Sequence, residues 1–554
     1  MRRLLRAAAV CCAGVTACIV HAQITFEEIA RKAGLDFTLR NAAQGQYRQV
    51  ELMPGGVAAL DYNNDGCMDI YFTNGADLTS LRKTGVEYRN RLFRNNCNST
   101  FTDVTEEAGV AGEGYSMGVA VADFDNDGFA DIFVTGVNRN ILYRNRGNGT
   151  FEDVTRKARV GGIDPKKGKL WSVSAGWFDY DNDGLLDLFV SNYVQWDPLK
   201  EQPCGPSGHR LYCHPDNYGG TPNQLFHNNG DGTFTDVSQS SGIAEHVGKG
   251  MGISFADFDG DGFTDVFVAN DSIRNFLFRN KGNGTFEEVG LPWGVALSDD
   301  GNAIAGMGSD FRDYDNDGRP DLFVTGMVND TYLLFRNLGS NRYFTDNTNS
   351  SGLARLTRQL TGWGIGLFDF DNDGWKDLFF ANSHFPQLNR YLGTDSKLAN
   401  SLFRNLGDGR FADVSPGAGQ GFQEKALFRG AAFADFDNDG KLDVVVSSLN
   451  SPAKLFRNTT AGSGHWLAVR LLGTKSNRDG LGARICVTTA EGRKLYNHAT
   501  TSVGYASSSE KLVRFGLGGE QAAARVEVTW PSGRLQVLQD IAADRIIEMR
   551  EPAR

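Results

Sequence analysis

The chain has 554 residues, and 56 Lys and Arg against 67 Asp and Glu give it a formal charge of −11. That balance offers no basic footprint for a phosphate backbone, so it argues against nucleic-acid binding. Past the first 22 residues no segment is apolar over the roughly 20 residues a bilayer span needs, so no transmembrane segment is expected.

The chain opens on Arg2-Arg3-Leu4-Leu5-Arg6 and a short apolar stretch from Ala7 to Val20, with Val20-His21-Ala22 before Gln23. This reads as a signal peptide over residues 1–22 and predicts a secreted or periplasmic protein. A lipoprotein anchored at Cys18 is the second reading, from Val15-Thr16-Ala17-Cys18. Cleavage would remove Arg2, Arg3 and Arg6 and leave a charge of −14, the amount seven divalent ions would cancel.

From residue 61 an acidic loop returns seven times: Asp, any residue, Asp or Asn, any residue, Asp-Gly, two residues, Asp. The copies are Asp61, Asn63, Asp65, Asp69; then Asp123, Asp125, Asp127, Asp131; then Asp179, Asp181, Asp183, Asp187. Asp257, Asp259, Asp261, Asp265 and Asp313, Asp315, Asp317, Asp321 follow. The last two are Asp369, Asp371, Asp373, Asp377 and Asp435, Asp437, Asp439, Asp443. Two carboxylates 4 Å apart repel by about 4 kcal/mol at an effective dielectric near 20, so each loop predicts a cation. Calcium fits best, with up to seven ions expected. It takes six to eight oxygens in a flexible shell, whereas magnesium keeps its waters. The sixth position is Gly throughout, where the chain must turn sharply. No Glu closes the loop at position twelve, and strand-like segments such as Asp131–Thr135 flank it, unlike an EF-hand.

The loops are spaced by 62, 56, 78, 56, 56 and 66 residues. Each unit carries a glycine-punctuated strand, the loop, an apolar strand, a Leu-Phe-Arg-Asn strand, and a Gly-Asn-Gly or Gly-Asp-Gly turn into Thr-Phe-x-Asp-Val. Four short antiparallel strands per unit describe a propeller blade. The seventh unit ends at Leu455-Phe-Arg-Asn458 without its last strand, and a matching Ile24-Thr-Phe-Glu-Glu-Ile29 stands at the other end of the chain. The fold expected is all-β: a seven-bladed propeller over residues 23–460, closed by the N-terminal strand, then a small β-domain over 461–554. All seven loops should lie on one face.

Three of the eight cysteines lie in the leader. Cys204 and Cys213 bracket a Pro/Gly-rich insertion and read as a local disulfide in an oxidising compartment. A zinc site of Cys204, His209, Cys213 and His214 is the alternative. Cys67 and Cys97 are a further candidate pair, and Cys486 in an apolar stretch reads as a buried free thiol.

The acidic units resemble FG-GAP (VCBS) repeats, the calcium-binding blades of the integrin α-chain head, over roughly residues 24–458. The tail is similar to the ASPIC/UnbV domain of the cartilage acidic protein family. It matches through Trp466–Leu471, Asn477–Arg484, Gly504-Tyr505, Phe515–Gly518 and Trp530–Gly533. Where that family carries Ser-Gln after Gly504-Tyr505, this chain has Ala506-Ser507-Ser508-Ser509. The resemblance implies calcium binding and adhesion or recognition of an extracellular protein or glycan. Insertions at 196–224 and 383–400 are the expected recognition loops.

The competing reading is an extracellular polysaccharide hydrolase or lyase on the same scaffold. Against it, 27 of the 67 acidic residues sit in the loops, and no nucleophile elbow, zincin helix or phosphate loop occurs. Glu424 and Asp395 are the carboxylates it could use outside the loops. No catalytic residue is assigned.

Overall fold

In the computed structural model the residues described are 22–164, 166–201, 203–206, 209–339, 343–386, 393 and 395–553. The leader lies outside them except for Ala22, as does part of each expected recognition loop.

Seven four-stranded antiparallel sheets follow the sequence repeat. The first is Val57–Leu60, Asp69–Phe72, Arg91–Asn95 and Phe101–Asp103; the second is Ser116–Ala122, Asp131–Gly136, Ile141–Asn145 and Phe151–Asp153. The third to sixth repeat the plan, starting at Ser172, Gly250, Ser309 and Gly362. The seventh takes Phe428–Ala434, Asp443–Ser448 and Lys454–Asn458 from one end of the repeat and Phe26–Glu28 from the other. Phe26 stands opposite Asn458, and Glu28 opposite Phe456. The chain is a β-propeller of four-stranded blades.

Two features join each blade to the next. The residue after the first Asp of every loop is aromatic, and it packs on the Phe that begins the outer strand of the following blade. The pairs are Tyr62–Phe151, Phe124–Phe234, Tyr180–Phe286, Phe258–Phe344, Tyr314–Phe411, Phe370–Phe26 and Phe436–Phe101, with centroids 5.7 to 6.1 Å apart. Such contacts add to the area they bury by about 0.5–1.5 kcal/mol each. The Asn that ends each third strand donates its side-chain amide to the backbone carbonyl of the same aromatic residue in the preceding blade. Asn145 reaches Tyr62 at 2.8 Å, Asn458 reaches Phe370 at 2.8 Å, and Asn95 of the first blade reaches Phe436 of the seventh at 2.8 Å.

The innermost strands converge on a narrow hub, which accounts for their glycines. A Cβ on Gly118 would lie 2.3 Å from the Val173 carbonyl, and one on Gly252 2.3 Å from that of Met307. Side chains are excluded there by neighbouring backbone.

The tail folds as two sheets over one core. His465–Leu472 pairs with Val513–Gly518 and, in parallel, with Arg545–Arg550; Arg484–Thr489 lies between Lys494–His498 and Ala522–Thr529, with Leu535–Ala542 outermost. Leu467, Val469, Val487, Phe515, Val526 and Trp530 fill the space between them. The small β-domain expected over 461–554 also reaches into the propeller. Residues 498–510 leave the tail and enter the hub. Ser508 exchanges hydrogen bonds with the first strand of blade one (Ser508 N to Val57 O, 3.1 Å; Ala59 N to Ser508 O, 3.0 Å). The Ala506 carbonyl accepts from Val119 at 3.1 Å, and its N–H donates to Ser174 Oγ at 3.1 Å. Gly504 and Ser309 bond reciprocally, and Glu510 N donates to Phe433 O at 3.1 Å. At the far end Tyr505, fully buried, donates its hydroxyl to Met53 O at 2.7 Å.

Candidate metal centres

Each acidic loop joins the first strand of a blade to the second, so the seven lie at corresponding places. The turn forms because the sixth residue is Gly in the left-handed region, with φ from 85° at Gly66 to 96° at Gly128. Its N–H donates to Oδ2 of the first Asp at 2.7–3.0 Å in all seven. The ninth residue is locked from two sides. Its Oδ1 accepts from the backbone N–H of the third-strand Asn at 2.7–2.9 Å in every blade. Its Oδ2 accepts from the N–H of the loop's second residue, as Tyr62 donates to Asp69 at 3.1 Å. Backbone N–H groups thus hold the first and ninth carboxylates in place.

Donor atoms of Asp123, Asp125 and Asp127 lie within 4.8 Å of one another, as do those of Asp179, Asp181 and Asp183, and of Asp257, Asp259 and Asp265. In five loops the third-position Oδ1 is buried with no hydrogen-bond partner: Asp125, Asp181, Asp315, Asp371 and Asp437. A buried oxygen left in that state costs about 1–3 kcal/mol or more when charged, so the donor set fits a hard cation. Burial, reinforced by the neighbouring carboxylates, pushes Asp69 and Asp179 up to about 8 and Asp123 up to about 7. Asp265, Asp321 and Asp443 are held well above the usual carboxylate range, again chiefly by burial.

Three contributors stand outside the predicted ligands. The Arg of the third strand bridges the third and fifth carboxylates from outside. Arg144 reaches Asp125 and Asp127, Arg279 reaches Asp259 and Asp261, Arg336 reaches Asp315 and Asp317, and Arg404 reaches Asp371 and Asp373. The tail supplies a second set: Arg478 to Asp123 at 3.7 Å, Arg484 to Asp257 at 3.3 Å and Arg514 to Asp435 at 3.4 Å. The fourth loop residue is the third. Asn64, Asn126, Asn182, Asn316, Asn372 and Asn438 all have φ of 57–58°. Each donates to the carbonyl of the next loop's Gly at 2.9–3.4 Å. Loop four has Gly260 there and lacks the bond. A closer count of the repeat would have shown this Asn and the second-position aromatic residue, both of which the nine-residue pattern leaves open.

Cys204 and Cys213 are bonded at 2.01 Å, which takes both sulfurs out of a zinc set, and Cys67 and Cys97 are bonded at 2.08 Å. Cys486 is a free thiol, as expected, but half-buried rather than buried: its strand faces Tyr496 across the sheet and only alternate residues enter the core. Glu424 is paired with Lys454.

The FG-GAP-like repeat description matches residues 61–134, 125–190, 211–268, 257–324, 313–380 and 369–446, and the ASPIC and UnbV description matches 473–554. The chain belongs to the FG-GAP-like repeat family. Its tail is an ASPIC and UnbV domain. Cartilage acidic protein 1 of Homo sapiens is 25% identical over 521 residues, covering 90% of this chain and 71% of that protein. Its Xenopus tropicalis counterpart is 26% identical over 498 residues, covering 87% and 70%. Among solved structures, an Agrocybe aegerita lectin described as recognising non-reducing terminal N-acetylglucosamine aligns at a TM-score of 0.39 and 16% identity, over 72% of this chain and 86% of its own. The Dos1 propeller aligns at 0.38 and 8%, over 74% and 94%.

Proposed function

We propose that this FG-GAP-like chain is a secreted, calcium-stapled recognition module: a closed seven-bladed wheel that binds an extracellular protein or glycan and carries out no catalysis. The single observation that carries the calcium reading is the set of buried, partnerless third-position oxygens beside pre-aimed ninth-position carboxylates. Calcium in such a loop would take the first, third, fifth and ninth side chains and neutralise charge that burial and the neighbouring carboxylates force toward protonation. Closure is supported by the amide and aromatic contacts that return from the seventh blade to the first. Two disulfides suit an oxidising compartment.

The tail packs on the loop face, Arg478, Arg484 and Arg514 reaching Asp123, Asp257 and Asp435, and we infer recognition at the opposite face, where second strands turn into third strands. The longest such connection, residues 193–223, holds the Cys204–Cys213 bridge and borders a cavity of about 900 Å³ with Trp196, Tyr218, Lys167 and Lys169 in its lining. Tyr212 anchors it by donating to Glu51 at 2.9 Å. The test is a glycan and extracellular-protein array read with calcium present. Deleting 202–216 should leave the calcium-dependent melting point in place and remove binding. Undiminished binding by that variant, or release of glycan products, would overturn the reading.

A further inference from the structure

Blade three departs from the others at one ligand-capable position. The third strand carries Arg94, Arg144, Arg279, Arg336, Arg404 and Arg457 in six blades, and His227 in the third. Arginine has no lone pair to give a metal, whereas imidazole has one. Nor does His227 sit where those arginines sit. Arg144, Arg279 and Arg336 span the outer oxygens of the third and fifth carboxylates. His227 Nδ1 instead points between Asp181 Oδ2, 3.5 Å away, and the fully buried Asp187 Oδ1, 3.3 Å away. Both separations exceed an N–H···O hydrogen bond of about 2.7–3.2 Å. They match the edge of a tetrahedral shell, about 3.4 Å for bonds near 2.1 Å.

Nδ1 is buried and makes no hydrogen bond of normal geometry, though both carboxylates lie within ion-pair reach, and Asp181 Oδ1 is buried without a partner. Asp181, Asp187 and His227 each place a donor atom within 4.8 Å of the others, and Asp181 belongs equally to the group with Asp179 and Asp183. The ring is held edge-on to Tyr180, 5.9 Å between centroids at 85°. Asp187 is fixed by the N–H groups of Asn228 at 2.8 Å and Tyr180 at 3.1 Å.

We propose that loop three is a mixed nitrogen–oxygen site in which His227 Nδ1 ligates a zinc-class divalent transition ion, beside six loops whose side-chain ligands are all oxygen. Calcium draws oxygen donors, while imidazole is a ligand of zinc, cobalt and nickel. The proposal rests on the reading that the loops hold divalent ions.

The experiment uses the full-length mature protein saturated with calcium and then titrated with Co²⁺. Visible absorption and elemental analysis follow after dialysis against excess calcium. One equivalent of Co²⁺ should be retained, with ligand-field bands of a nitrogen-containing, low-coordinate site. His227→Arg, which restores the residue of the other blades, should lose that equivalent while keeping its remaining calcium and its far-UV circular dichroism. His227→Gln serves as a second variant should the arginine perturb folding. Calcium in all seven loops with no Co²⁺ retained would overturn this proposal and leave the calcium reading standing, as would equal retention in both variants. No divalent ion bound at all would overturn both.

Discussion

The side-chain amide of Asn438 donates to the carbonyl of Gly66 at 3.2 Å, tying the last acidic loop to the first across 372 residues. The same bond links five other neighbouring loops and is missing only from loop four to loop five, where Gly260 holds φ at +77°. Asn tolerates that region better than other side-chain-bearing residues, and a Cβ on Gly260 would meet only Arg484 Nη1, at 3.8 Å. Gly260→Asn should therefore be more stable than Gly260→Ala by about 0.5–1.5 kcal/mol, because the new bond to the next loop offsets the strain of a side chain at that φ. In the opposite direction, Asn145→Ala strands the carbonyls of Tyr62 and Ala130 and the N–H of Gly147. It should cost about 2–4 kcal/mol. Chemical denaturation of these variants checks both; a Gly260→Asn protein no more stable than Gly260→Ala would show that the amide contributes nothing.

Metal removal should invert the pH dependence of stability. Without ions, burial raises Asp69 and Asp179 to about 8 and Asp123 and Asp313 to about 7, from 3.8. The folded state then keeps protons that the unfolded state has released. The contribution of these groups is fully present below their unfolded pKa and is lost as pH climbs through 7 to 8. In chelator the melting temperature should fall between pH 5 and pH 8. If calcium fills the loops as proposed, it takes the deprotonated form, and the melting temperature with calcium should be higher throughout and gain most at pH 8. Magnesium should restore it poorly. A melting temperature in chelator that is unchanged or rises with pH would contradict the argument.

The hub gives a separate test of how the two domains hold together. Tyr505→Phe removes only the hydroxyl bonded to Met53 O and should cost about 1–2 kcal/mol. Tyr505→Ala empties a fully buried site lined by Trp363, Met53 and the Arg429 side chain and should cost about 3–5 kcal/mol. Both costs should appear in one melting transition shared by propeller and tail. Two separated transitions in Tyr505→Phe would show the domains to be energetically independent.

Glu551 clamps the end of the tail. Its Oε2 accepts from the N–H groups of Thr474, Lys475 and Ser476 at 2.8 Å each, and its Oε1 from the hydroxyls of Ser476 and Ser532. Burial raises its pKa, but these donors together outweigh it and hold the group near 2, below the ordinary 4.5. The stability it confers is present above pH 4.5 and lost as pH falls through about 2. Glu551→Gln should cost about 2–4 kcal/mol at neutral pH. That gap should narrow on acidification toward pH 3.

Much of the propeller was written in the repeat itself. Charge crowding such as Asp179, Asp181, Asp183 and Asp187 marks the loops, and Gly184 marks the turn. The stranded Ile24–Ile29 segment pointed to its pairing with Leu455–Asn458. What stayed hidden depended on neighbours far along the chain. Asn145 and Tyr62 each look like ordinary strand or loop residues until adjacent blades are laid side by side. His227 is one letter different in a motif otherwise read for its hydrophobics. The path of Gly504-Tyr505 into the hub carried no local signal, because small and polar residues suit an exposed turn as well as a channel.

Residues 24–29 and 498–510 have a consequence for how the molecule is made. The first strand cannot find its sheet until about 430 residues more have been produced, and the channel cannot be filled until some 40 after that. Such distant pairings make assembly slow and leave early intermediates with bare sheet edges. A chain halted before residue 454 would leave Phe26–Glu28 without its partner strand, and one halted between 458 and 498 would still lack the segment that enters the hub. Proteases would therefore meet, during synthesis, a fragment that differs sharply from the folded protein.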